Sequence, residues 1–301
     1  MIYFPPKATL NGHAIISRNV DWFLVPPDVH LNKTEVSNGT YIRNFIMEIY
    51  PDQGYSTIAI SGVDLNSVLD GVNSEGLGIS ALADEWIYPL KMPVAGDRNS
   101  GISSIQIPRL VLETCRTVEE AKIAFLTNKE FLPLIGFHYM VYDSQGNSTI
   151  VEWNKTDGDL YFTDGNSSKP NIMTNHPMFI FSKYALKDLP KRDNLNPFNQ
   201  SYSTFNRYVT LYNITSIHHG KYSENDAADA LKAVYANTVV EVEGVPIPLP
   251  IKTLWSVILD LTDRSLKMKS FLKTGSVDPK TNETTLIFSP YLTFKMNNSS
   301  L

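Results

Sequence analysis

Alternating and continuous apolar runs along the chain predict mostly β-strands, with helices confined to two regions. The runs with strand character are residues 14–20, 43–50, 55–61, 77–82, 137–142, 148–153, 160–163, 253–261, 266–272 and 284–288. Asn38-Gly39 and Pro51-Asp52-Gln53-Gly54 are typical of the tight turns that connect antiparallel strands. A further turn is predicted over residues 70–76. The first third of the chain therefore has the pattern of an antiparallel meander.

Each of the two helical regions contains a pair of helices. In the first, apolar residues at helical spacing lead up to Cys115, and Thr117 with Glu120 predicts a capping box for a second helix. In the later region, Ser203 or Thr204 and then Ser223 are candidate caps for helices over residues 205–212 and 227–235. Helix pairs between blocks of strands predict two packed sheets covered by helices. We expect one layered α+β domain over residues 1–301.

Composition excludes several classes of protein. A chain of 301 residues, 43% hydrophobic, can bury a large core. Its net charge of -5 and the lack of a Lys/Arg run argue against a nucleic-acid partner. No apolar run approaches the length of a membrane span. The one cysteine, Cys115, cannot form an intrachain disulfide, and its apolar surroundings at a helix end predict a buried core residue.

Asn-X-Ser/Thr sequons are more frequent than the roughly four that chance gives at this composition. They begin at Asn32, Asn38, Asn147, Asn154, Asn166, Asn199, Asn213, Asn282, Asn297 and Asn298. The excess predicts a glycoprotein that is secreted or lysosomal and whose leader is absent from this chain. An Asn-rich composition would produce the same excess without any glycan, so a cytoplasmic location stays open. The sequence carries no pattern that indicates an oligomeric state.

The sequence does not contain the familiar catalytic motifs. The six histidines show no metal-ligand spacing, so we predict no metal site. The chain has neither a glycine-rich phosphate loop nor a GxSxG nucleophile elbow, and no cofactor is predicted. Asp84-Glu85 would supply only half of a carboxylate pair for glycosidic chemistry.

Polar residues at the ends of predicted elements are the remaining candidates. Arg18 and Asp21 close the first strand, where a regular strand would place them on opposite faces. A bend or bulge would let both converge on one pocket, whereas the simpler alternative is a surface salt bridge. Asn73, Asn175 and Arg207 also lie at the ends of predicted elements.

Six segments in order carry a resemblance to a known family. They are Gly12 with Arg18-Asn19-Val20-Asp21-Trp22, Asp70-Gly71-Val72-Asn73-Ser74-Glu75-Gly76-Leu77, Tyr142-Asp143-Ser144-Gln145-Gly146 with Val151-Glu152, Met173-Thr174-Asn175-His176-Pro177, Ser203 with Arg207-Tyr208, and Thr253-Leu254-Trp255 with Asp260-Leu261. The set resembles the choloylglycine hydrolase and penicillin V acylase group of N-terminal nucleophile hydrolases, which includes acid-ceramidase-like amidases. The resemblance implies a four-layer αββα sandwich. It also implies hydrolysis of a linear amide bond in a small-molecule N-acyl compound.

The resemblance implies a role for each candidate residue. In the family an N-terminal cysteine attacks the amide carbonyl and its own α-amine acts as the base, because an α-amine titrates near neutrality. Arg18 and Asp21 would orient the nucleophile and its amine. Asn175 would donate to the oxyanion, and Arg207 would steady the charges around the nucleophile. A second oxyanion donor is expected near Ala83, whose side chain cannot donate.

The chain departs from the family at its start. Counting back from Arg18 leads near Ile2, or to a position before Met1 if the Pro5-Pro6-Lys7 loop is longer than usual, and no cysteine, serine or threonine stands there. One explanation is a truncated amidase that has lost its nucleophile. The other is a pseudoenzyme that binds acyl-amide or bile-salt-like ligands. We expect no amidase activity from the chain as written, and activity once a cysteine precedes Ile2-Tyr3-Phe4.

Overall fold

The computed structural model describes most of the chain. The described residues are 1–23, 34–37, 40–42, 45–61, 67–84, 101–128, 130–131, 136–154, 159–189, 204–218, 220–240, 249–277, 279 and 284–296. The turn predicted at Asn38-Gly39, the second acid of Asp84-Glu85 and the candidate cap Ser203 lie outside them.

Nineteen strands and five α-helices are found among these residues. The strands are β1 (Ile2–Phe4), β2 (Ile15–Phe23), β3 (Thr34–Ser37), β4 (Thr40–Ile42), β5 (Phe45–Ile49), β6 (Thr57–Ser61), β7 (Asp70–Asn73), β8 (Leu77–Ala83), β9 (Ile102–Ser103), β10 (Glu130–Phe131), β11 (Phe137–Asp143), β12 (Ser148–Trp153), β13 (Leu160–Asp164), β14 (Asn171–Ile172), β15 (Asn237–Val240), β16 (Leu249–Asp260), β17 (Ser265–Val277), β18 (Thr284–Phe288) and β19 (Leu292–Lys295). The helices are α1 (Ile107–Thr114), α2 (Val118–Thr127), α3 (Met178–Phe181), α4 (Thr204–Ile217) and α5 (Glu224–Lys232).

Two antiparallel sheets form the centre of the molecule. Sheet I has the strand order β14-β1-β2-β16-β17-β18, with β15 paired to β16 and β19 paired to β17. Sheet II has the order β13-β12-β11-β8-β7-β6-β5. Helices α1 and α2 contact sheet II, whereas α4 and α5 contact sheet I. The predicted four-layer αββα sandwich is confirmed.

Side chains of β1 alternate between two layers of the sandwich. Tyr3 packs in the large core between the sheets, where its ring stacks on that of Tyr142 at 5.7 Å. Ile2 and Phe4 belong instead to the cluster beneath α4 and α5. Neighbouring residues of a strand point to opposite faces, so Met1 shares the inter-sheet layer with Tyr3.

The strand pattern of the sequence reappears in β2, β5, β6, β8, β11, β12, β13, β16, β17 and β18. The turn predicted over residues 70–76 is wrong in its first half, because Asp70–Asn73 forms β7 between β6 and β8. Only the second half turns, with Gly76 at a φ of 79°. Cys115 is buried at the end of α1, as expected.

The predicted helix starts differ in their capping. Thr117 accepts from the Glu120 backbone N–H, as predicted for α2. In a complete capping box the Glu120 carboxylate would accept from the backbone N–H of Thr117. It accepts instead from the backbone N–H of Arg116. Ser223 and Asp226 form a complete box at the start of α5.

Four of the ten sequons begin at described residues. Asn166 and Asn213 have exposed side chains. Asn147 is also exposed, but its amide nitrogen donates to both carboxylate oxygens of Asp143, at 3.3 and 3.0 Å. Asn154 is half-buried. Glycosylation and a secreted or lysosomal location stay predictions.

Asn73 ties sheet II to the end of α1. Its Nδ2 donates to the carbonyl oxygens of Leu112 and Cys115, at 2.8 and 2.7 Å. Its Oδ1 accepts from the backbone N–H groups of Glu75 and Leu77, at 3.0 Å each. The side chain thus completes four backbone hydrogen bonds in a buried place.

Replacing Asn73→Ala should lower the free energy of unfolding by about 3 kcal/mol, because buried backbone groups lose their partners. Chemical denaturation measures the loss. Asn128→Ala is the matched control, since Asn128 donates its amide to the Ala124 carbonyl at the less buried end of α2. A loss no larger than that of the control would contradict the anchoring role.

Candidate active site

The register of β1 determines which residues meet at the site. In sheet I, Ile2 pairs with Ser17 on one side and with Ile172 on the other. The pairing continues one residue further, because the Met1 α-amino nitrogen donates to the Met173 carbonyl at 2.9 Å and the Met173 N–H donates to the Met1 carbonyl at 3.2 Å. Met1 therefore lies between Arg18, which is inside β2 and not at the strand end predicted for it, and the segment that leads to Asn175.

Arg18 points into the layer between the sheets and forms a buried ion pair. Its Nη1 lies 2.5 Å from Asp70 Oδ1, and the two side chains are 6% and 0% exposed. The guanidinium also donates to the carbonyl oxygens of Leu69 and Ala81, at 3.0 and 2.6 Å. Asp70 Oδ1 accepts a further hydrogen bond from Ser80 Oγ at 2.6 Å. The surface salt bridge considered from the sequence is replaced by a buried link from sheet I to sheet II.

Asp70 is a site residue that sequence reasoning missed. It stands in the segment Asp70-Gly71-Val72-Asn73, for which the sequence pattern predicts a turn. A signal was present, because an acid that begins a buried apolar strand requires a partner. The partner is 52 residues away in sequence, and only the packing of the two sheets brings it close.

Asp21 lies beside an irregularity in the neighbouring strand. Thr253 pairs with Asp21, whereas Trp255 pairs with Val20, so β16 has one extra residue at this point. Thr253 Oγ1 donates to Asp21 Oδ1 at 2.6 Å. The extra residue lies in β16, so it does not alter the alternation within β2, and the bulge expected between Arg18 and Asp21 is not found there.

Asn175 and Arg207 are in direct contact. Arg207, on α4, donates from Nη2 to Asn175 Oδ1 at 3.0 Å. Asn175 Nδ2 donates to the carbonyl of Ala83, the last residue of β8, at 2.7 Å. The carboxamide is thereby oriented by groups from two different layers. Ala83 contributes its backbone carbonyl here, and its side chain has no hydrogen-bonding group.

The charged residues converge electrostatically on the Met1 α-amine. Burial, followed by the positive charges of Arg207 and Arg18, lowers the pKa of this amine from 8.0 to about 5. The negative charges of Asp21 and Asp70 oppose that shift. The amine is accordingly uncharged at neutral pH and has a lone pair that can accept a proton.

The structure thus places Arg18, Asp21 and Arg207 where their charges act on the α-amine of residue 1, and Asn175 is bound to Arg207. It does not bring Asn73 there, since that side chain is bound to the end of α1. The position that faces the site is residue 1, directly before the Ile2-Tyr3-Phe4 strand. Ile2 faces the helices, whereas Met1 faces the inter-sheet layer that contains Arg18.

His176 packs behind Asn175 in an aromatic pocket. Its Nδ1 lies 3.1 Å from Thr174 Oγ1 and 3.2 Å from Thr204 Oγ1. Its ring lies 4.5 Å from that of Phe205, between centroids. Burial and the nearby charges of His138 and Arg207 lower the pKa of His176 from 6.5 to about 3.

Among the described residues, one group of side chains has a spacing that could hold a metal ion. The potential ligand atoms of His13, Asp260 and Asp263 lie within 4.8 Å of one another. His13 Nδ1 is already 2.8 Å from Asp260 Oδ2, and Asp260 Oδ1 accepts from the N–H groups of Thr262 and Asp263. Asp260 and Asp263 belong to the hydrogen-bonded turn between β16 and β17, and His13 lies just before β2.

Comparison with known proteins identifies the class. Two stacked antiparallel sheets between helical layers are the architecture of N-terminal nucleophile hydrolases. A family model described as acyl-coenzyme A:6-aminopenicillanic acid acyl-transferase matches residues 9–270. The chain therefore belongs to that family, and the resemblance found from the sequence is confirmed. Among curated protein sequences, none matches the chain significantly.

Solved structures of low sequence identity share the fold. Penicillin V acylase from Agrobacterium tumefaciens superposes with a TM-score of 0.58 at 20% identity, over 91% of this chain and 84% of the other. A mutant of conjugated bile acid hydrolase from Clostridium perfringens superposes with a TM-score of 0.61 at 16% identity, over 98% of this chain and 97% of the other.

None of the described helices is long and apolar enough to cross a lipid bilayer.

Replacing Asp70→Asn should lower the free energy of unfolding by about 3 kcal/mol, because the buried Arg18 loses its counter-charge. Denaturant titration measures the change. Glu113→Gln is the control, since Glu113 forms a more exposed ion pair with Arg109 at the same 2.5 Å, and its loss should cost about 0.5 kcal/mol or less. Equal losses of unfolding free energy in the two variants would refute the conclusion that burial makes the Arg18–Asp70 ion pair the more important one.

Acid should destabilise the chain through His176. The unfolded chain binds a proton below pH 6.5, whereas folded His176 binds one only near pH 3, so stability falls as the pH drops through this interval. Between pH 7.5 and pH 5 the loss should be about 2 kcal/mol larger in the wild type than in His176→Gln. Urea unfolding of both proteins at the two pH values provides the comparison, and parallel losses would contradict the assignment.

Proposed function

We propose that this site hydrolyses the linear amide bond of an N-acyl compound when a cysteine occupies the position of Met1. One observation carries the proposal. The α-amine of residue 1 is buried beside Arg18, Asp21, Asp70 and Arg207, and its pKa is lowered to about 5. An uncharged amine beside a thiol can take the thiol proton, which generates the attacking thiolate without a histidine.

The proposed reaction has two stages. The thiolate sulfur bonds to the acyl carbon, the amide C–N bond breaks, and the proton held by the α-amine passes to the departing amine. Water then attacks the thioester with the α-amine as base, which releases the carboxylic acid and restores the thiol. Arg18 and Asp21 hold the nucleophilic residue in place, and Arg207 holds Asn175.

Asn175 is the proposed oxyanion donor. A carboxamide nitrogen carries two N–H groups, and one of them is directed to the Ala83 carbonyl. The carboxamide oxygen is held by Arg207, which prevents the group from flipping. The second N–H group is then oriented for the developing negative charge on the acyl oxygen.

Membership of the family and the names of solved relatives support an acyl compound as the substrate. The family model is described as an acyl-transferase, and the structures are of a penicillin acylase and a conjugated bile acid hydrolase. A small-molecule N-acyl amide is accordingly the proposed partner of this site.

A second candidate function follows from the chemistry of Met1 itself. A thioether carries no proton that the α-amine could remove, so it cannot form a thiolate. With Met1 in place, the same residues would bind an acyl-amide or bile-salt-like ligand without cleaving it.

Met1→Cys should create amidase activity. The variant is made with cysteine as the first residue by removal of a cleavable amino-terminal fusion. Release of free amine from penicillin V and from a glycine-conjugated bile acid is followed over time. The chain that begins with Met1 should show no turnover but should bind the same compounds in calorimetry.

Two controls separate the position of the nucleophile from the mere presence of a thiol. A cysteine inserted before Met1 should be inactive, because strand alternation directs it towards the helices. Met1→Cys with an acetylated α-amine should be inactive as well, because it has no base. Lack of turnover by Met1→Cys with every acyl compound tested would refute the hydrolytic proposal and favour the binding function.

A further inference from the structure

Glu152 is a buried acid that the reaction as described does not use. We propose that it is a positioning residue, which sets the geometry of Asn175 by holding the backbone just after it. The inference rests on the proposed function, because it concerns the oxyanion donor of that reaction.

The Glu152 carboxylate binds two consecutive backbone N–H groups. Its side chain, on β12, is 0% exposed. Oε1 accepts from the Met178 N–H at 2.7 Å, and Oε2 accepts from the Phe179 N–H at 2.9 Å. An ionised carboxylate offers acceptors on both oxygens, which suits two neighbouring donors.

These bonds hold one end of a short segment whose other end is held at the site. Met173 pairs with Met1 through two backbone hydrogen bonds. Asn175 lies between that pairing and residues 178 and 179, and Pro177 between them has φ fixed at -68°. Few backbone torsions are left free, so displacement of Met178 and Phe179 is transmitted to Asn175.

A second set of contacts connects Glu152 to Asn175 through sheet II. His138 Nδ1 lies 3.2 Å from Glu152 Oε1, and His138 is fully buried on β11. In the pairing of β11 with β8, His138 is opposite Leu82 and Phe137 is opposite Ala83. Ala83 accepts the hydrogen bond from Asn175 Nδ2. Glu152 therefore positions Asn175 relative to the strand that holds its carboxamide.

The kinetic test uses Glu152→Gln in the Met1→Cys background. Glutamine has nearly the same shape but one acceptor oxygen, so one of the two N–H groups would face an NH2 group. We expect kcat to fall about 10- to 100-fold, with KM changed by less than about twofold, because the loss is felt in the transition state. Unfolding midpoints define an assay temperature at which both proteins are folded.

Glu120→Gln is the matched control. Glu120 also accepts a backbone N–H through its carboxylate, that of Arg116 at 2.7 Å, but on the exposed side of α2. It should leave kcat unchanged. An unchanged kcat in Glu152→Gln, or an equal fall in both variants, would overturn the inference.

A second measurement does not depend on catalysis. In the chain with Met1, the side-chain NH2 resonances of Asn175 are assigned by their loss in Asn175→Asp. Glu152→Gln should move them towards the shifts of a free carboxamide, and Glu120→Gln should not. If Met1→Cys shows no turnover, the hydrolytic proposal fails, while these resonances still decide the role of Glu152: unmoved resonances would refute it.

Discussion

The pairing of β1 between β14 and β2 is the constraint on which the site depends. β1 is only three residues long, yet it places residue 1 opposite Arg18 on one side and next to the Asn175 segment on the other. Each side chain on β1 also belongs to one layer, either between the sheets or beneath the helices. Register therefore determines both the neighbours of residue 1 and the direction of its side chain.

Burial of polar groups around residue 1 is unusual for a sandwich core. Arg18, Asp70 and Ser80 occupy a layer that otherwise holds Tyr3, Ile16 and other apolar residues. Such groups are tolerated when they bind one another and backbone carbonyls, as they do here. Their charges then act across a medium that screens them weakly, which is why two guanidinium groups affect the pKa of a nearby amine.

Much of the fold could be predicted from local pattern, because strand alternation and caps are local properties. The strands around residues 14–20 and 137–142 and the cap at Ser223 are of this kind. The candidates Arg18, Asp21, Asn175 and Arg207 also came from the sequence, through the ordered resemblance. The sequence does not indicate the roles of Asp70 and Glu152. The packing of the two sheets brings Arg18 to Asp70, and a distant backbone segment brings its N–H groups to Glu152.

The offset between two paired strands is a property of both strands together. The sequence predicts the nucleophile near Ile2 or before Met1, and a bend or bulge between Arg18 and Asp21. Both depend on pairings between strands distant in sequence, such as Thr253 with Asp21. A pattern of period two within one strand carries no information on such offsets.

Two hydrogen-bonded links cross from one sheet to the other at the site. Arg18 of sheet I binds Asp70 of sheet II, and Asn175, just beyond β14 of sheet I, binds Ala83 of sheet II. The sheets cannot slide past each other without breaking both links. Heating the protein should therefore disrupt the arrangement of these side chains and the tertiary structure in one cooperative step.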